Sequence, residues 1–362
     1  MTGREVALAT LHREDVAQPC ITNCWITNSA YMSRVVGRDY WSDREGVFAE
    51  FVRRTGANFV PQWYLPGEAQ RKLEMGEIMH ELHRHEEAGF RSPEDVLRWI
   101  EQLPDDEVVR RDFDLERAAE DYAAAILQHS ELMGPDVLVI DSFGQADFMG
   151  GYTRWGYENY LQAAALYPDA MRRYYHHSSL LGRLRNHAIV EAIERHRLAP
   201  FVYGGQDICT AGGPIMSPQM LRELYFPELR WCVEPLVSAG IGIIWHCDGD
   251  ILPILDDILS LGVMGLQGFE EEHGPRWEDM CALTDPDGRP ISVWGCVSVT
   301  TTLPHGSPED VRRAVERSFT VAGRGRGHVL SSTSSILPDV PHENIDALFE
   351  HAVRFGREFL GG

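Results

Sequence analysis

The chain has almost no lysine: Lys72 is the single lysine among its 33 basic residues. Reactions that need a lysine nucleophile, such as Schiff-base chemistry, are therefore excluded unless Lys72 itself performs them. Acidic residues outnumber basic ones by 55 to 33, which gives a net charge of -22. Because nucleic acids and anionic membranes are bound through clustered lysine and arginine, we expect neither as a partner.

Long apolar runs are also missing. No stretch approaches the ~20 apolar residues of a membrane-spanning helix. The N-terminal segment, MTGREVALATLHREDVAQPC, carries charges where a signal peptide needs its apolar segment. The seven cysteines form an odd set without a secretion signal, which argues against a disulfide framework. We therefore expect a cytoplasmic protein.

Beyond an irregular lead-in, short apolar runs alternate with amphipathic helical patterns, and this alternation predicts a parallel sheet. An eighth strand is expected before residue 58 or near 88–91. Helical patterns cover 114–133, 169–196 and 308–323. The runs predicted to be strands are 58–64, 136–144, 199–207, 240–250, 265–272, 291–298 and 328–335.

The sequence favours a barrel over an open doubly wound sheet, because no Gly-x-Gly-x-x-Gly element follows any predicted strand. Nearly all of these strands end in polar or glycine residues, at the end where a (β/α)8 barrel places its active site. The length of 362 residues also suits one such barrel. We therefore predict an α/β fold, a single (β/α)8 TIM barrel over residues 46–362, after an N-terminal lead-in over residues 1–45.

The segment IIWHCDGDILPIL (243–255) places ionisable side chains directly after an apolar strand. Side chains on a strand alternate between its faces, so His246 and Asp248 are predicted to point into the barrel mouth and Cys247 away from it. Asp250 is better placed to cap the following helix. Two ligands two residues apart are a compact start for a metal site. A hydrogen-bonded structural histidine and a capping Asp248 remain the alternatives.

Later strand ends add further candidate ligands. Glu270 follows the next strand, Cys296 the one after it, and the last strand ends in hydroxyls that include Ser334. Imidazole, thiolate and carboxylate together suit Zn²⁺. We predict a zinc site formed by His246, Asp248, Glu270 and Cys296.

Upstream strand ends supply candidates for catalysis and substrate binding. Asp141 and Asp207 end two strands, where a carboxylate can bind substrate or move protons, although a cap or turn explains Asp141 as well. Aromatic side chains near the N-terminus can line a pocket or pack in the core. The predicted catalytic residues are Asp207, His246 and Asp248; the predicted substrate-binding residues are Trp25, Trp63, Tyr64, Asp141 and Ser334.

Four segments together resemble the uroporphyrinogen decarboxylase superfamily, in order and spacing, over roughly residues 130–360. The segments are GGQDICTAGGPIMSPQMLRELYFPELR, IIWHCDGDILPILDDILSLGVMGLQGFEEE, WGCVSVTTTLPHGSPEDVRRAVE and HVLSSTSSILPDVPHENIDALFE. The resemblance implies a (β/α)8 barrel. It also implies one of two activities: decarboxylation without a cofactor, or methyl transfer to or from a corrinoid protein.

The resemblance favours the methyltransferase branch. True decarboxylases carry an arginine-rich N-terminal motif and a catalytic aspartate, and PCITNCWITNSAYMSRVVG followed by NFVPQWYLPG contains neither paired arginines nor that aspartate. The corrinoid-linked methyltransferases bind zinc through His-x-Cys and a second cysteine. His246 matches the histidine, whereas Asp248 and Ser334 stand at the cysteine positions.

The first hypothesis is therefore a zinc-dependent methyltransferase that acts on a small O-, N- or S-methylated substrate. Its acceptor or donor would be a corrinoid, carried by a partner protein, or another methyl carrier. The second is a metal-free decarboxylase or other lyase in which Asp207, His246 and Asp248 move protons. The third is a ligand-binding barrel without catalysis.

Overall fold

The computed structural model describes residues 1–23, 25–68, 71 and 89–362. Lys72 and residue 88 of the predicted 88–91 strand lie outside the described residues. Each of the seven predicted strand runs contains a strand. The strands are β1 (Phe59–Val60), β2 (Leu138–Val139), β3 (Phe201–Gly205), β4 (Cys209–Thr210), β5 (Gly213–Pro214), β6 (Gly242–Gly249), β7 (Gly265–Phe269), β8 (Ser292–Val297) and β9 (Val329–Ser332).

A five-stranded parallel sheet carries the C-terminal half of the fold, in the order β3-β6-β7-β8-β9. Strands β1 and β2 form a separate parallel pair, and β4 and β5 form an antiparallel hairpin within the glycine-rich run after β3. The predicted parallel α/β architecture is confirmed. The hairpin was not predicted, because its strands are two residues long and lack a two-residue alternation.

Single backbone contacts connect the five-stranded sheet to the β1-β2 pair on both sides. Leu330 of β9 pairs with Ile21, and the neighbouring Thr22 pairs with Phe59 of β1. On the other side, the amide of Tyr203 in β3 donates to the carbonyl of Asp141, two residues after β2 (3.2 Å). The segment at residues 21–22 thus lies between β9 and β1, before residue 58.

Helices pack around these strands, and the three predicted helical patterns correspond to α6, α9 and α15. The helices are α1 (Gly3–Leu11), α2 (Ser29–Val36), α3 (Arg44–Thr55), α4 (Pro93–Glu101), α5 (Asp106–Asp112), α6 (Leu115–Met133), α7 (Met149–Trp155), α8 (Tyr157–Leu166), α9 (Pro168–His196), α10 (Pro218–Leu224), α11 (Phe226–Ser238), α12 (Leu255–Leu259), α13 (Trp277–Cys281), α14 (Thr302–His305), α15 (Pro308–Ala322) and α16 (His342–Gly361). Short 3-10 turns cover Tyr40–Ser42, Leu252–Ile254 and Glu271–His273. In the described part of the chain, no helix combines the length and apolarity needed to cross a membrane.

The lead-in over residues 1–45 contains α1 and α2 and the paired residues Ile21 and Thr22. Thr2 caps α1, because its hydroxyl accepts from the Glu5 amide while the Glu5 carboxylate accepts from the Thr2 amide. The helix packs its apolar side against the ends of β1 and β2.

The strands enclose a compact apolar core of alternating inward side chains. This core contains Phe59, Leu138, Phe201, Tyr203, Ile244, Trp294 and Val329. Tyr203 and Trp294 stack across it with ring centroids 5.3 Å apart. A second, larger apolar layer lies between the strands and the surrounding helices. The polar residues that follow the strands therefore gather at their carboxyl ends, above this core.

Candidate metal centre

Three ionisable side chains meet at the carboxyl ends of β3 and β6. Asp207 follows β3, and His246 and Asp248 belong to β6. Nε2 of His246 lies 3.3 Å from Oδ1 of Asp207 and 3.5 Å from Oδ1 of Asp248. One ligand atom of each residue lies within 4.8 Å of the others. We call these three residues the mouth group.

Two glycines lie against His246, Gly205 against its backbone and Gly268 against its ring. Gly205 is the register partner of His246, and a Cβ there would lie 1.6 Å from the His246 carbonyl oxygen. Gly268 in β7 has φ +105°, and a Cβ there would lie 2.4 Å from Nδ1 of His246. Only glycine accepts both the contact and this φ without displacing the ring.

Gln267 of β7 fixes the orientation of the His246 ring. Its amide nitrogen donates to the carbonyls of Ser332 (3.1 Å) and Thr333 (2.8 Å), so its Oε1 must face the other way. That oxygen accepts from the Tyr203 hydroxyl (2.6 Å) and lies 2.6 Å from Nδ1 of His246. Because Oε1 is only an acceptor, Nδ1 carries a hydrogen and Nε2 is the nitrogen that faces the two carboxylates.

Within the mouth group, the pKa values of His246 and Asp248 are raised and that of Asp207 is lowered. Burial lowers the pKa of His246, but the hydrogen bond to Asp207 and the charges of Asp248 and Asp207 outweigh it and raise the pKa to about 9. Burial raises the pKa of Asp248 to about 6, against the opposing charge of His246. Burial also raises the pKa of Asp207, but the hydrogen bond and charge of His246 bring it below its ordinary value. Such opposed shifts at strand ends are typical of functional sites.

The residues present fit a divalent metal ion. Oδ1 of Asp248 is buried and accepts no hydrogen bond from a described residue, although it lies 3.5 Å from Nε2 of His246. A buried acceptor without a hydrogen bond is costly. The other oxygen, Oδ2, accepts from the Ser334 hydroxyl (3.0 Å). Nδ1 of His246 is held by a neighbour while Nε2 stays available, as in most metal-binding histidines. One imidazole and two carboxylates form a ligand set that leaves positions open.

A cavity of about 860 Å³ opens directly onto the mouth group. Its wall combines aromatic and other apolar side chains with polar ones, as ligand sites commonly do. The lining residues are Trp25, Gln62, Tyr64, Ser142, Phe143, Gln145, Asp147, Met149, Ser178, Leu181, Arg185, Gly204, Gly205, Gln206, Asp207, His246, Asp248, Ser334 and Ser335.

Three of the predicted substrate-binding residues line this cavity. Trp25 has φ +54° and packs its ring edge-on against His246, with centroids 4.5 Å apart. Its indole nitrogen donates to Oε1 of Gln62 (2.7 Å). Tyr64 is exposed at the rim, and Ser334 bonds to Asp248.

The other two predicted substrate-binding residues do not line the cavity. Trp63 points the opposite way from Tyr64 and stacks on His129, with centroids 3.9 Å apart. The carboxylate of Asp141 accepts from the amide of Ser142 (2.7 Å), which is the turn that explained it equally well from the sequence. Burial raises the pKa of Asp141, and the buried Tyr122 lies near enough to feel its charge.

The structure does not bring Glu270 and Cys296 into the mouth group. A carboxylate oxygen of Glu270 lies 3.8 Å from Nε2 of His273, and its charge reaches Asp248 only through space. The sulfur of Cys296 lies 4.0 Å from Nη1 of Arg317, which binds Glu271 behind β8. Burial raises the pKa of the Cys296 thiol well above its ordinary value, which keeps it protonated.

The break in alternation within β8 explains why Cys296 turns outward. Trp294 points into the strand-enclosed core, so a regular strand would point Cys296 inward as well. Gly295 between them has φ +147°, outside the range of ordinary strands. Cys296 therefore packs with Trp277 and Cys281 in the outer layer.

Cys247 faces away from the mouth, as the two-residue alternation predicts. It is buried in the outer apolar layer, and its thiol donates to the carbonyl of Asp248 (3.3 Å). Cys209 of the β4-β5 hairpin lies beside it within hydrogen-bonding reach.

Two residues of the site were missed in the sequence, and each left a signal. Gln267 is a polar side chain in the middle of the apolar run GLQGF, where a buried amide needs partners. Arg185 belongs to the set Ser178, Leu181 and Arg185, whose spacing of three and four residues gives one face of α9.

Comparison with known proteins adds a family and a fold. Residues 202–355 match the model of the family described as Uroporphyrinogen decarboxylase (URO-D). No curated protein sequence matches the chain. Among solved structures, a methyltransferase from Methanosarcina mazei is similar, with a TM-score of 0.64 and 18% sequence identity over 98% of this chain and 99% of that chain. A likeness at this identity shows a shared fold. The residues that match the family model include the whole mouth group.

Proposed function

We propose that this chain, which belongs to the uroporphyrinogen decarboxylase superfamily through residues 202–355, is a metal-dependent methyltransferase. It would move a methyl group between a small O-, N- or S-methylated substrate and a corrinoid, carried by a partner protein, or another acceptor. The observation that carries the proposal is the mouth group, whose ligand atoms lie within 4.8 Å of one another below an 860 Å³ cavity.

The fold is a second line of support for this proposal. One structural neighbour over nearly the whole length is a methyltransferase. We propose that the complete architecture is the (β/α)8 barrel, with the segment at residues 21–22 as the strand that joins β9 to β1. The cavity then lies at the carboxyl ends of the strands, the usual place of the active site in that fold.

We propose Zn²⁺ as the metal, held by Nε2 of His246 and by carboxylate oxygens of Asp207 and Asp248. Zinc accepts this combination of nitrogen and oxygen ligands and keeps a position open in catalytic sites. When bound, it would act as a Lewis acid that polarises the methylated heteroatom or stabilises its demethylated form. Glu270 and Cys296 are not needed for this ligand set.

The remaining side chains of the site bind and orient. Gln267 holds the ring of His246, and Ser334 holds the second oxygen of Asp248. Trp25 covers one edge of the His246 ring and keeps water from that side. Cavity side chains then place the substrate with its methyl group towards the acceptor. In the transfer, the carbon–heteroatom bond breaks, the heteroatom keeps the bonding electrons, and the acceptor supplies the pair for the new bond.

A metal-free lyase is the second candidate, and one observation favours it. Without a metal, His246 holds its proton between two carboxylates, with a pKa raised to about 9 by Asp207 and Asp248 against the effect of burial. Asp248, whose pKa burial raises to about 6, could then exchange a proton near neutral pH. Oδ1 of Asp248 lies 3.5 Å from Nε2 of His246 without a hydrogen bond, and a bound metal ion would give this oxygen a direct ligand bond.

The test is methyl transfer to free cob(I)alamin, followed by the absorbance change as methylcobalamin forms. Zinc-loaded protein is assayed with a panel of O-, N- and S-methylated compounds, beside protein stripped with a chelator and then restored with zinc. The proposal expects transfer that chelation removes and zinc restores, with an unchanged far-UV circular dichroism spectrum. Decarboxylation of a carboxylic acid panel by chelator-stripped protein, without methyl transfer by the loaded form, would establish the lyase instead.

A further inference from the structure

We propose that Arg185 binds an anionic group of the substrate, so that the substrate class is a small methylated carboxylate. The inference rests on the proposed function in one respect, namely that the cavity above the mouth group holds the substrate. The metal would bind the reacting end of the substrate, whereas Arg185 would recognise the end that does not react. Arg185 itself touches neither the mouth group nor its hydrogen-bond partners in the described structure.

Among the described residues that line the cavity, Arg185 is the one cation outside the mouth group. The charged lining residues are Asp147, Arg185, Asp207, His246 and Asp248. Asp147 is occupied, because its Oδ1 accepts from the Gly150 amide (2.7 Å) and its Oδ2 from the Tyr174 hydroxyl (2.9 Å). With a divalent ion between Asp207 and Asp248 and a neutral His246, the inner end carries no net charge. Arg185 then has no ion-pair partner among the described residues of the wall, because both carboxylate oxygens of Asp147 accept hydrogen bonds from Gly150 and Tyr174.

The geometry of α9 directs Arg185 towards the cavity. Ser178, Leu181 and Arg185 follow one another at helical spacing and all line it. The helix is fixed in this position by Asn186, whose amide nitrogen donates to the carbonyl of Gly144 (2.9 Å) and whose oxygen accepts from the Gly144 amide (2.7 Å). Gly144 lies in the loop after β2, so the Arg185 side chain is presented beside the strand ends.

The contrast with Arg183 on the same helix shows what an occupied arginine looks like. Arg183 forms an ion pair with Glu234 (2.6 Å) and lies over the ring of Trp231. Arg185 is exposed and has no hydrogen bond or ion pair to any described residue. A guanidinium has five N–H donors in a planar fork, and a carboxylate fills that fork with two parallel hydrogen bonds.

The size of the cavity limits the class of substrate further. The cavity of about 860 Å³ holds a molecule of modest size, and one end of it has to reach the mouth group. A methylated heteroatom at that end and a carboxylate at the other satisfy both the metal and Arg185. A neutral substrate would leave the guanidinium solvated and gain nothing from it.

The experiment compares acids with their uncharged counterparts by isothermal titration calorimetry. Methoxyacetate and (methylthio)acetate are titrated into zinc-loaded protein beside 2-methoxyethanol and 2-(methylthio)ethanol, which carry CH2OH in place of the carboxylate. We expect at least one acid to bind more tightly than its alcohol. Because a hydrogen bond to a charged group contributes enough for about a tenfold change or more, R185Q should lose about tenfold of the acid's affinity. R185K, which keeps the charge but not the fork, should retain part of it.

The control is R183Q, which removes the same charge from the same helix outside the cavity. It should leave the affinity for the acid unchanged, so a general electrostatic effect is separated from direct binding. Equal affinity for acids and alcohols in the wild type, or equal losses in R185Q and R183Q, would overturn the inference. A carboxylate bound to the metal alone would show as a preference that R185Q retains, which also overturns it. Zinc content is measured in each sample, so that loss of the metal, which would count against the proposed function, is distinguished from loss of the Arg185 contact.

Discussion

The two buried histidines of the strand region, His246 and His328, lie in opposite electrostatic surroundings. Nε2 of His246 faces Asp207 and Asp248, which raise the pKa to about 9 although burial alone lowers it. Nε2 of His328 faces the Ser318 hydroxyl (2.9 Å), and burial lowers its pKa to about 4. The ring edges of Trp277 and Phe319 complete its surroundings.

The difference shows that burial alone does not mark a functional histidine in this fold. Both residues are nearly inaccessible, at 4% and 9% exposure. His328 stays neutral and fills space behind β8, because burial lowers its pKa and no carboxylate of the described residues opposes this. His246 is paired with two acids that are costly to hold together without a cation. The predictions below test whether this division between a site histidine and a packing histidine is real.

The largest effect is expected when each imidazole is removed by the same substitution. His246→Gln would take a ligand from the proposed metal, and a loss of several kcal/mol of transition-state stabilisation corresponds to about a thousandfold slower methyl transfer. His328→Gln leaves the mouth group untouched and should transfer methyl groups at the wild-type rate. Initial rates with cob(I)alamin measure both. Comparable losses in the two variants would remove the distinction.

The next effect is the loss of folding stability in acid that His328 causes. Its pKa is about 4 in the folded chain against about 6.5 when unfolded, so the unfolded chain binds the extra proton between these values. Stability is therefore fully present above pH 6.5 and is lost as the pH falls towards 4, by on the order of 3 kcal/mol. Urea unfolding of the wild type and His328→Gln at pH 7 and 4.5 measures it. The variant should lose distinctly less stability in acid, whereas replacement of the exposed His305 by Gln should change nothing. Parallel losses in the wild type and His328→Gln would count against this role.

A smaller effect is expected from Gln267, which holds the ring of His246 and is not one of the proposed metal ligands. Gln267→Leu frees the ring to turn, and loss of such a partner typically weakens metal binding by about 10- to 100-fold. Competition with a chromophoric chelator measures the dissociation constant. The exposed Gln219, replaced by Leu, is the control. Unchanged zinc affinity in Gln267→Leu would show that the ring is held by packing alone. The variant also loses its bonds to Tyr203, Ser332 and Thr333, so only its folded fraction is compared.

The smallest effect belongs to Cys296. Cys296→Ala removes one buried sulfur from the outer layer, which should cost about 1 kcal/mol of the free energy of unfolding. Zinc affinity and methyl transfer should remain at wild-type values, because the thiol lies with Arg317 rather than with the mouth group. Urea unfolding and metal titration on the same preparation check both statements. A loss of zinc from this variant would return Cys296 to the ligand set.

Much of this arrangement follows from short-range rules that the sequence displays. The seven strand runs and the three helical patterns were visible as apolar periodicity, and His246 and Asp248 share a face because they are two residues apart. Asp207 joins them because parallel strands end at the same edge of the sheet. These features depend on the spacing of nearby residues, and this spacing can be read directly from a single sequence.

The features that the sequence did not disclose depend on the backbone at single positions or on distant partners. Cys296 and Trp294 point to different sides although they are two residues apart, and the irregular backbone at Gly295, with φ +147°, lies between them. The orientation of the Gln267 amide is set by the carbonyls of Ser332 and Thr333, some 65 residues further along the chain. Trp63 was indistinguishable from Tyr64 until the direction of each ring was known.

The central claim is that the mouth group binds a metal ion, and elemental analysis tests it most directly. Wild type, Asp248→Asn and Cys296→Ala are purified without chelator and analysed for zinc, manganese and iron by mass spectrometry. The account predicts about one zinc ion per chain in the wild type and in Cys296→Ala, and nearly none in Asp248→Asn, which keeps the shape of the side chain but not its charge. A wild type without metal, or an Asp248→Asn variant with as much metal as the wild type, would contradict it.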